Sequence, residues 1–321
     1  MNFRMKSGLV FLSFLMAFSA IGQNDFFFNH YMFNPSYYNP AWVGSEGEAF
    51  VAGHHRSQWV GYSSSFDGNG GAPSSQLISL VIPAQGKLSG VGLAVSNDRT
   101  AELTNLQARF SVSVKKDFRF GSISVGAMPT LFSQSLDFGN FRPVEPEPNL
   151  PDGRESQMAF DLSAGVYFNS DRNYFAGFSA INLMQPSFNY GITGDQLSSE
   201  VSTNYLINGG TVIGVSRDIL FKPTTLIRTD FKSYTFELSG LLYYQEKMWG
   251  GLSFRRSESV TLMLGYSFLE DNKLRFGYSF DYVVKDQAGK QPTSHEVYIR
   301  YDLPDLILGG RKAVKTPRFN F

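Results

Sequence analysis

The chain contains no cysteine. A disulfide framework and a thiolate metal site are therefore excluded. It also lacks net charge, since 28 Lys and Arg balance 28 Asp and Glu. That balance leaves no electrostatic footprint for nucleic acid. Charged residues of both signs are scarce at 17%, where a soluble domain carries about a quarter. Past the N-terminus no stretch reaches about 18 consecutive apolar residues, so no helical membrane span is expected. What the chain has instead is aromatic and small residues: 30 Phe, 16 Tyr, 3 Trp and 31 Gly in 321 positions. That mixture suits a β-barrel whose two faces meet different solvents.

The first residues read as a secretory signal over 1–22. Arg4 and Lys6 supply the positive start, and Leu9 to Phe18 form an apolar core of about ten residues, too short to span a bilayer. Ala20-Ile21-Gly22 places cleavage before Gln23. No cysteine follows, so no lipid anchor is expected there.

From 48 to 303 the pattern alternates with period two, the mark of strands with unlike faces. Leu106, Ala108, Phe110, Val112 and Val114 interleave with Gln107, Arg109, Ser111, Ser113 and Lys115. Phe160, Leu162, Ala164, Val166 and Phe168 form another apolar row, as do Leu274, Phe276, Tyr278, Phe280 and Tyr282. Strands are expected at about 48–61, 74–83, 88–98, 104–116, 118–133, 158–169, 172–184, 203–217, 223–231, 234–245, 247–257, 259–269, 272–285 and 293–303. That is an all-β transmembrane antiparallel barrel of about fourteen strands, an even count that puts both ends on one side. The long links, at 62–73, 134–157, 184–202 and 285–292, all follow odd-numbered strands. External loops are long and periplasmic turns short in such barrels. The parity therefore orients the barrel in a bacterial outer membrane.

Residues 23–47 do not alternate. Two Asn-Pro steps, Asn34-Pro35 and Asn39-Pro40, favour turns and forbid a continuous helix. The aromatics between them need burial, so a short plug inside the barrel is expected. After 303 a basic tail follows, 304–321, with Arg311, Lys312, Lys315 and Arg318. By parity it is periplasmic, either a dock for a partner or a disordered stub.

The segment Tyr31–Gly44, YMFNPSYYNPAWVG, resembles the N-terminal signature of the PorP/SprF family of the Bacteroidetes type IX secretion and gliding-motility system. The match rests on Tyr31, Met32, Phe33, Asn34, Pro35, Asn39, Pro40, Ala41 and Gly44; His30 departs from the usual Gln. His55-Arg56-Ser57-Gln58-Trp59 resembles the family's Arg-x-Gln-Trp element. Ser294 to Tyr301 is similar to its final strand, and Pro317-Arg318-Phe319 to the tails of some members. The resemblance implies a non-catalytic outer-membrane barrel without cofactors. It implies one of two partners: the C-terminal domain of a secreted surface adhesin, or periplasmic secretion components such as a lipoprotein and ring proteins.

The candidate chemistry is thin. His54 and His55 are neighbours in a strand, so they diverge and cannot chelate one ion. Ser294, His295 and Glu296 have the residue types of a hydrolase, but adjacent side chains point apart. The patch Gly68-Asn69-Gly70-Gly71 lacks the lysine and the strand-to-helix setting of a phosphate cradle. The acidic, proline-rich run Pro143–Pro148 is an extended loop segment that either touches a surface partner or is simply solvated. Arg56, Arg109, Arg228, Arg255, Arg275 and Arg300 are expected in the lumen, where buried charge needs a partner. Asp161, Asp230, Glu237, Asp281 and Glu296 are candidates for that pairing. Gln58, Trp59 and His295 are also read as lumenal or structural residues. The competing functional reading is a FadL-like transporter of small hydrophobic molecules, whose plug carries an Asn-Pro-Ala turn like Asn39-Pro40-Ala41.

Overall fold

The computed structural model describes residues 28–62, 71–140, 153–190, 197–284, 291–303 and 306–309. The signal segment, Gly68 to Gly70, Pro143–Pro148 and the four tail cations lie outside the described residues.

The alternation seen in the sequence becomes a single antiparallel sheet. Its strands are β1 (Ala49–Ser57), β2 (Ser74–Pro83), β3 (Leu88–Thr100), β4 (Leu103–Phe118), β5 (Gly121–Asp137), β6 (Arg154–Ser170) and β7 (Tyr174–Ile181). The second half comprises β10 (Asn204–Thr211), β11 (Ile213–Gly214), β12 (Ile219–Thr229), β13 (Tyr234–Tyr244), β14 (Met248–Arg255), β15 (Ser259–Phe268), β16 (Leu274–Val283) and β17 (Thr293–Leu303). β8 (Ser187–Tyr190) and β9 (Leu197–Glu200) pair only with each other. β11 extends β10 past Val212, so the wall has fourteen staves. It closes because β1 pairs with β17, from Ala49↔Leu303 to Ser57↔His295, while β10 bridges β7 and β12. Each expected strand has its counterpart. The bounds of β2 and β17 agree, whereas β1 stops at Ser57 rather than 61.

The burial pattern inverts that of a soluble protein. Leu106, Phe110, Val114, Phe160, Leu238, Leu262, Leu264 and Ile299 point outward and are exposed. Ser79, Ser111, Ser163, Ser239, Ser253, Ser279 and Thr261 are buried on the inner face. Only a hydrocarbon solvent makes that arrangement favourable. Outward aromatics cluster beside the short turns. Phe118 and Phe120 stack at 5.6 Å, Phe120 and Phe168 lie 5.9 Å apart, and Phe168 and Tyr174 5.7 Å. Such rings form the interfacial girdles of outer-membrane barrels.

The links at 58–73, 138–153, 182–203 and 284–292 are the long ones, and all leave the same end of the barrel. At the other end the turns are tight, with β4 and β5 joined by Arg119-Phe120 alone. The long-loop end is the exterior by the rule for such barrels. Near the short-turn end Leu308 bonds back to the chain at Pro83 and Gln85 (2.9 and 3.1 Å).

Candidate functional site

The lumen is occupied by the protein's own N-terminal segment. Residues 28–44 are buried throughout. Three short 3-10 turns, Tyr31–Phe33, Pro35–Tyr37 and Pro40–Trp42, run through it. Proline opens the last two, where its missing N–H costs nothing. Asn39 caps the third by accepting from the Ala41 N–H at 3.0 Å.

Close approach to the wall is permitted by glycine. Gly126 on β5 faces Gly165 on β6, and Gly177 on β7 lies beside Tyr167. A methyl group at Gly126 would sit 2.5 Å from the Ala41 nitrogen. At Gly165 it would collide with the Asn39 amide. The Asn39-Pro40-Ala41 turn is thus seated in a slot without side chains. Gly44, at φ +78, abuts the Ser89 carbonyl, and a side chain there would be strained and blocked alike.

Hydrogen bonds tie the segment to staves all around the wall. The Asn34 amide donates to Ser79 Oγ (2.8 Å), Ser113 Oγ to the Val43 carbonyl (2.6 Å), and Ser179 Oγ to the Tyr38 carbonyl (2.8 Å). Tyr31 Oη meets Thr224 at 3.1 Å and Ser239 at 3.3 Å. Phe33 packs on Trp249 and Tyr298, with ring centres 4.7 and 5.1 Å away. Burial pushes the Tyr38 hydroxyl up, well above the ordinary phenol range.

The charges meet at Asn29 and His30. Glu296 accepts from the Asn29 N–H (2.6 Å), the His30 N–H (3.1 Å) and His30 Nδ1 (2.8 Å). Arg56 bonds to the Asn29 side-chain oxygen and pairs with Asp281 at 2.7 Å. The same Asn29 oxygen accepts from Arg255 (3.1 Å), which pairs with Glu237 at 2.9 Å. The Asn29 amide donates to Asp281 at 2.7 Å. One asparagine thereby joins two ion pairs of the wall. Nearer the short-turn end, Arg300 holds Glu46 (2.8 Å) and Asp302 (2.6 Å) and covers the Phe50 ring. Arg109 donates to the Tyr37 carbonyl at 2.9 Å and stacks over its ring. Buried pairs of this kind add little net stability, but losing one partner costs about 3–5 kcal/mol.

All nine signature residues, Tyr31, Met32, Phe33, Asn34, Pro35, Asn39, Pro40, Ala41 and Gly44, lie in this segment and are buried. The arginines at 56, 109, 228, 255 and 300 are buried on the inner face, and Arg275 reaches Asp302 at 3.0 Å. Four expectations need correction. His295 points outward and meets the Tyr278 hydroxyl at 2.6 Å, because it alternates with the inward Ser294 and Glu296. Gln58 and Trp59 lie past the end of β1, since Trp59 takes φ 47 and breaks the extended chain. Asp230 sits in the β12–β13 turn, accepting from the Lys232 and Ser233 N–H groups at 3.0 and 2.6 Å. Ser294, His295 and Glu296 diverge, as expected of neighbours in a strand. Asn29, Glu46 and Glu258 were not singled out by sequence reasoning. Their only signal was that they are polar residues beside aromatic or arginine-bearing stretches.

The family model described as "Type IX secretion system membrane protein PorP/SprF" matches residues 20–301. The chain belongs to the PorP/SprF family. No curated protein matches it. Among solved structures, the Ralstonia pickettii toluene transporter TbuX is similar over 89% of this chain and 96% of its own, at 11% identity and TM-score 0.50. A Pseudomonas aeruginosa FadL homologue is similar over 90% and 96%, at 12% identity and TM-score 0.49. The Acinetobacter baumannii outer membrane protein Omp33 covers 80% and 98%, at 7% identity and TM-score 0.45. At such identities the likeness concerns fold alone. This PorP/SprF barrel is an outer-membrane protein of the type IX secretion system.

Proposed function

We propose that this barrel is a non-catalytic anchor that holds the C-terminal domain of a secreted adhesin at the cell surface. The observation that carries the reading is the occupied lumen. The segment Phe28–Gly44 is bonded to wall residues on β1, β2, β4, β7, β12, β13, β16 and β17. A lumen so filled supports a role in holding a partner rather than conducting one. A link to the periplasmic machinery, through a lipoprotein or ring protein at the short-turn end, is the second role compatible with the family.

The test is capture of the tagged barrel from detergent extracts, with bound proteins identified by mass spectrometry. Recovery of a large secreted adhesin is the expected result. Recovery of periplasmic ring proteins alone moves the role to the machine. Recovery of neither, together with accelerated uptake of a small hydrocarbon by cells carrying the barrel, replaces anchoring by transport.

A further inference from the structure

The two edges of β6 are unequal. Toward β5 it pairs along its whole length, from Gly121↔Ser170 to Asp137↔Arg154. Toward β7 it pairs only from Ala164↔Ala180 to Asn169↔Phe175. β7 ends at Ile181, and one more backbone bond follows, from the Leu183 N–H to the Leu162 carbonyl at 2.9 Å. That carbonyl shows which way the even-numbered residues of β6 direct their backbone groups. Strand periodicity sends those of Phe160, Met158, Ser156 and Arg154 to the same side. No described strand pairs with these four residues there.

The β8–β9 hairpin does not cover this edge. It reaches β6 through the Gln157 side chain, which accepts from the Asn189 N–H at 2.9 Å and donates to the Asn189 carbonyl. Its buried Phe188 and Tyr190 pack inward with Phe132, Leu136 and Phe138. The hairpin lies over the mouth of the lumen, and among the described residues the edge stays open. Around that edge the surface is apolar: Met158 is 74% exposed, Phe160 56%, Leu183 41% and Met184 57%.

We propose that the outer half of β6 is a docking edge for an extended segment of a secreted polypeptide, which adds as a strand beside Arg154–Phe160. The edge demands alternating N–H and C=O groups, which a polypeptide supplies and a lipid chain does not. An open edge is also the usual template for strand addition. The edge lies at the long-loop end, so the occupant comes from the exterior. About seven residues pair, those flanking Met158 and Phe160 being apolar and those over Glu155 and Gln157 polar. This inference rests on the anchoring role proposed above and names the surface that performs it.

The chain has no cysteine, so a single thiol is a clean probe. Ser156→Cys carrying a benzophenone label, irradiated in cells, is expected to crosslink to the adhesin C-terminal domain, with the linked peptide found by mass spectrometry. Met158→Pro removes one N–H from the open edge and leaves the β5 ladder untouched, a change that edge strands tolerate. It is expected to migrate as a folded barrel on unheated gels yet recover at least tenfold less adhesin, while Met158→Ala recovers the normal amount. A label that links to a second copy of the barrel, or to nothing, while the unaltered barrel still recovers adhesin, overturns the edge and leaves the anchor role standing. An unaltered barrel that recovers no adhesin overturns both.

Discussion

Glu296 shows what a single side chain does in this lumen. Its two oxygens accept two backbone N–H groups and one imidazole from the inner segment, and no other described carboxylate touches that many groups of it. Glu296→Ala would leave those donors without their anion, while Arg56 would lose a contact at 3.6 Å and keep Asp281. A loss of about 3–5 kcal/mol is expected, read as a lower urea midpoint in lipid vesicles. Glu296→Gln keeps one acceptor oxygen and is expected to lose less. An unchanged midpoint for the alanine variant would mean that the segment is held without this hub. Gly126 makes the complementary point about space. Gly126→Val places atoms where the Pro40–Ala41 peptide now lies. The turn must then leave its slot, and protease access to the segment in vesicles opened on their inner face is the measurement. These two residues also mark how far the sequence could be read. The Asn-Pro steps and aromatics of Tyr31–Gly44 announced a buried turn segment. The partner of each charge was not legible, because it depends on which staves closure brings together. Asn29 bridges Arg56 and Arg255, 199 positions apart in the chain, and no local pattern encodes that.

At the level of elements, the sequence was most legible where outward residues face lipid. The period-two rows on β4, β6 and β16 each became a strand because a one-residue slip would put serine or arginine into hydrocarbon. Leu262, at the middle of β15 and 46% exposed, tests that directly. Leu262→Arg is expected to cost about 2–4 kcal/mol, the range for a cation near the midplane. Thr261→Ser next to it keeps the donor to Asp281 at 2.6 Å and is expected to be near neutral. Equal midpoints for both would argue that this face does not meet lipid. Legibility failed at the β8–β9 hairpin. Its rows are four residues each, too short for a periodic signal, and its stability comes from Phe132 and Leu136 across the lumen mouth. Phe188, at 0% exposure, is its anchor. Phe188→Ala is expected to release the hairpin, with new chymotrypsin cleavage between 182 and 203 on intact cells and no change in barrel migration.

For the whole molecule, the wall and its contents are separable structures. Closure depends on the β1–β17 ladder and on the pairing of β10 with β7 and β12, and none of these bonds involves residues before Ala49. The inner segment is held by side-chain bonds to the wall, and it supplies six of the eleven Phe, Tyr and Trp rings in the main buried cluster. Excising residues 28–43 therefore leaves every ladder bond intact. It also exposes Arg56, Arg255, Asp281 and Glu296 to whatever enters, and these remain able to pair with one another across water. The expected product is a folded, heat-modifiable barrel of lower stability with a hydrated lumen. In planar bilayers it should show steady single-channel conductance where the complete chain shows none. A complete chain that conducts as well as the excised one would mean that ions pass beside the segment, and the anchoring role would lose the observation on which it stands. A silent excised barrel would instead point to the β8–β9 hairpin as a second closure, since its aromatic cluster lies over the outer mouth. Joining the excision to Phe188→Ala would then restore conductance, and this double variant decides between one barrier and two.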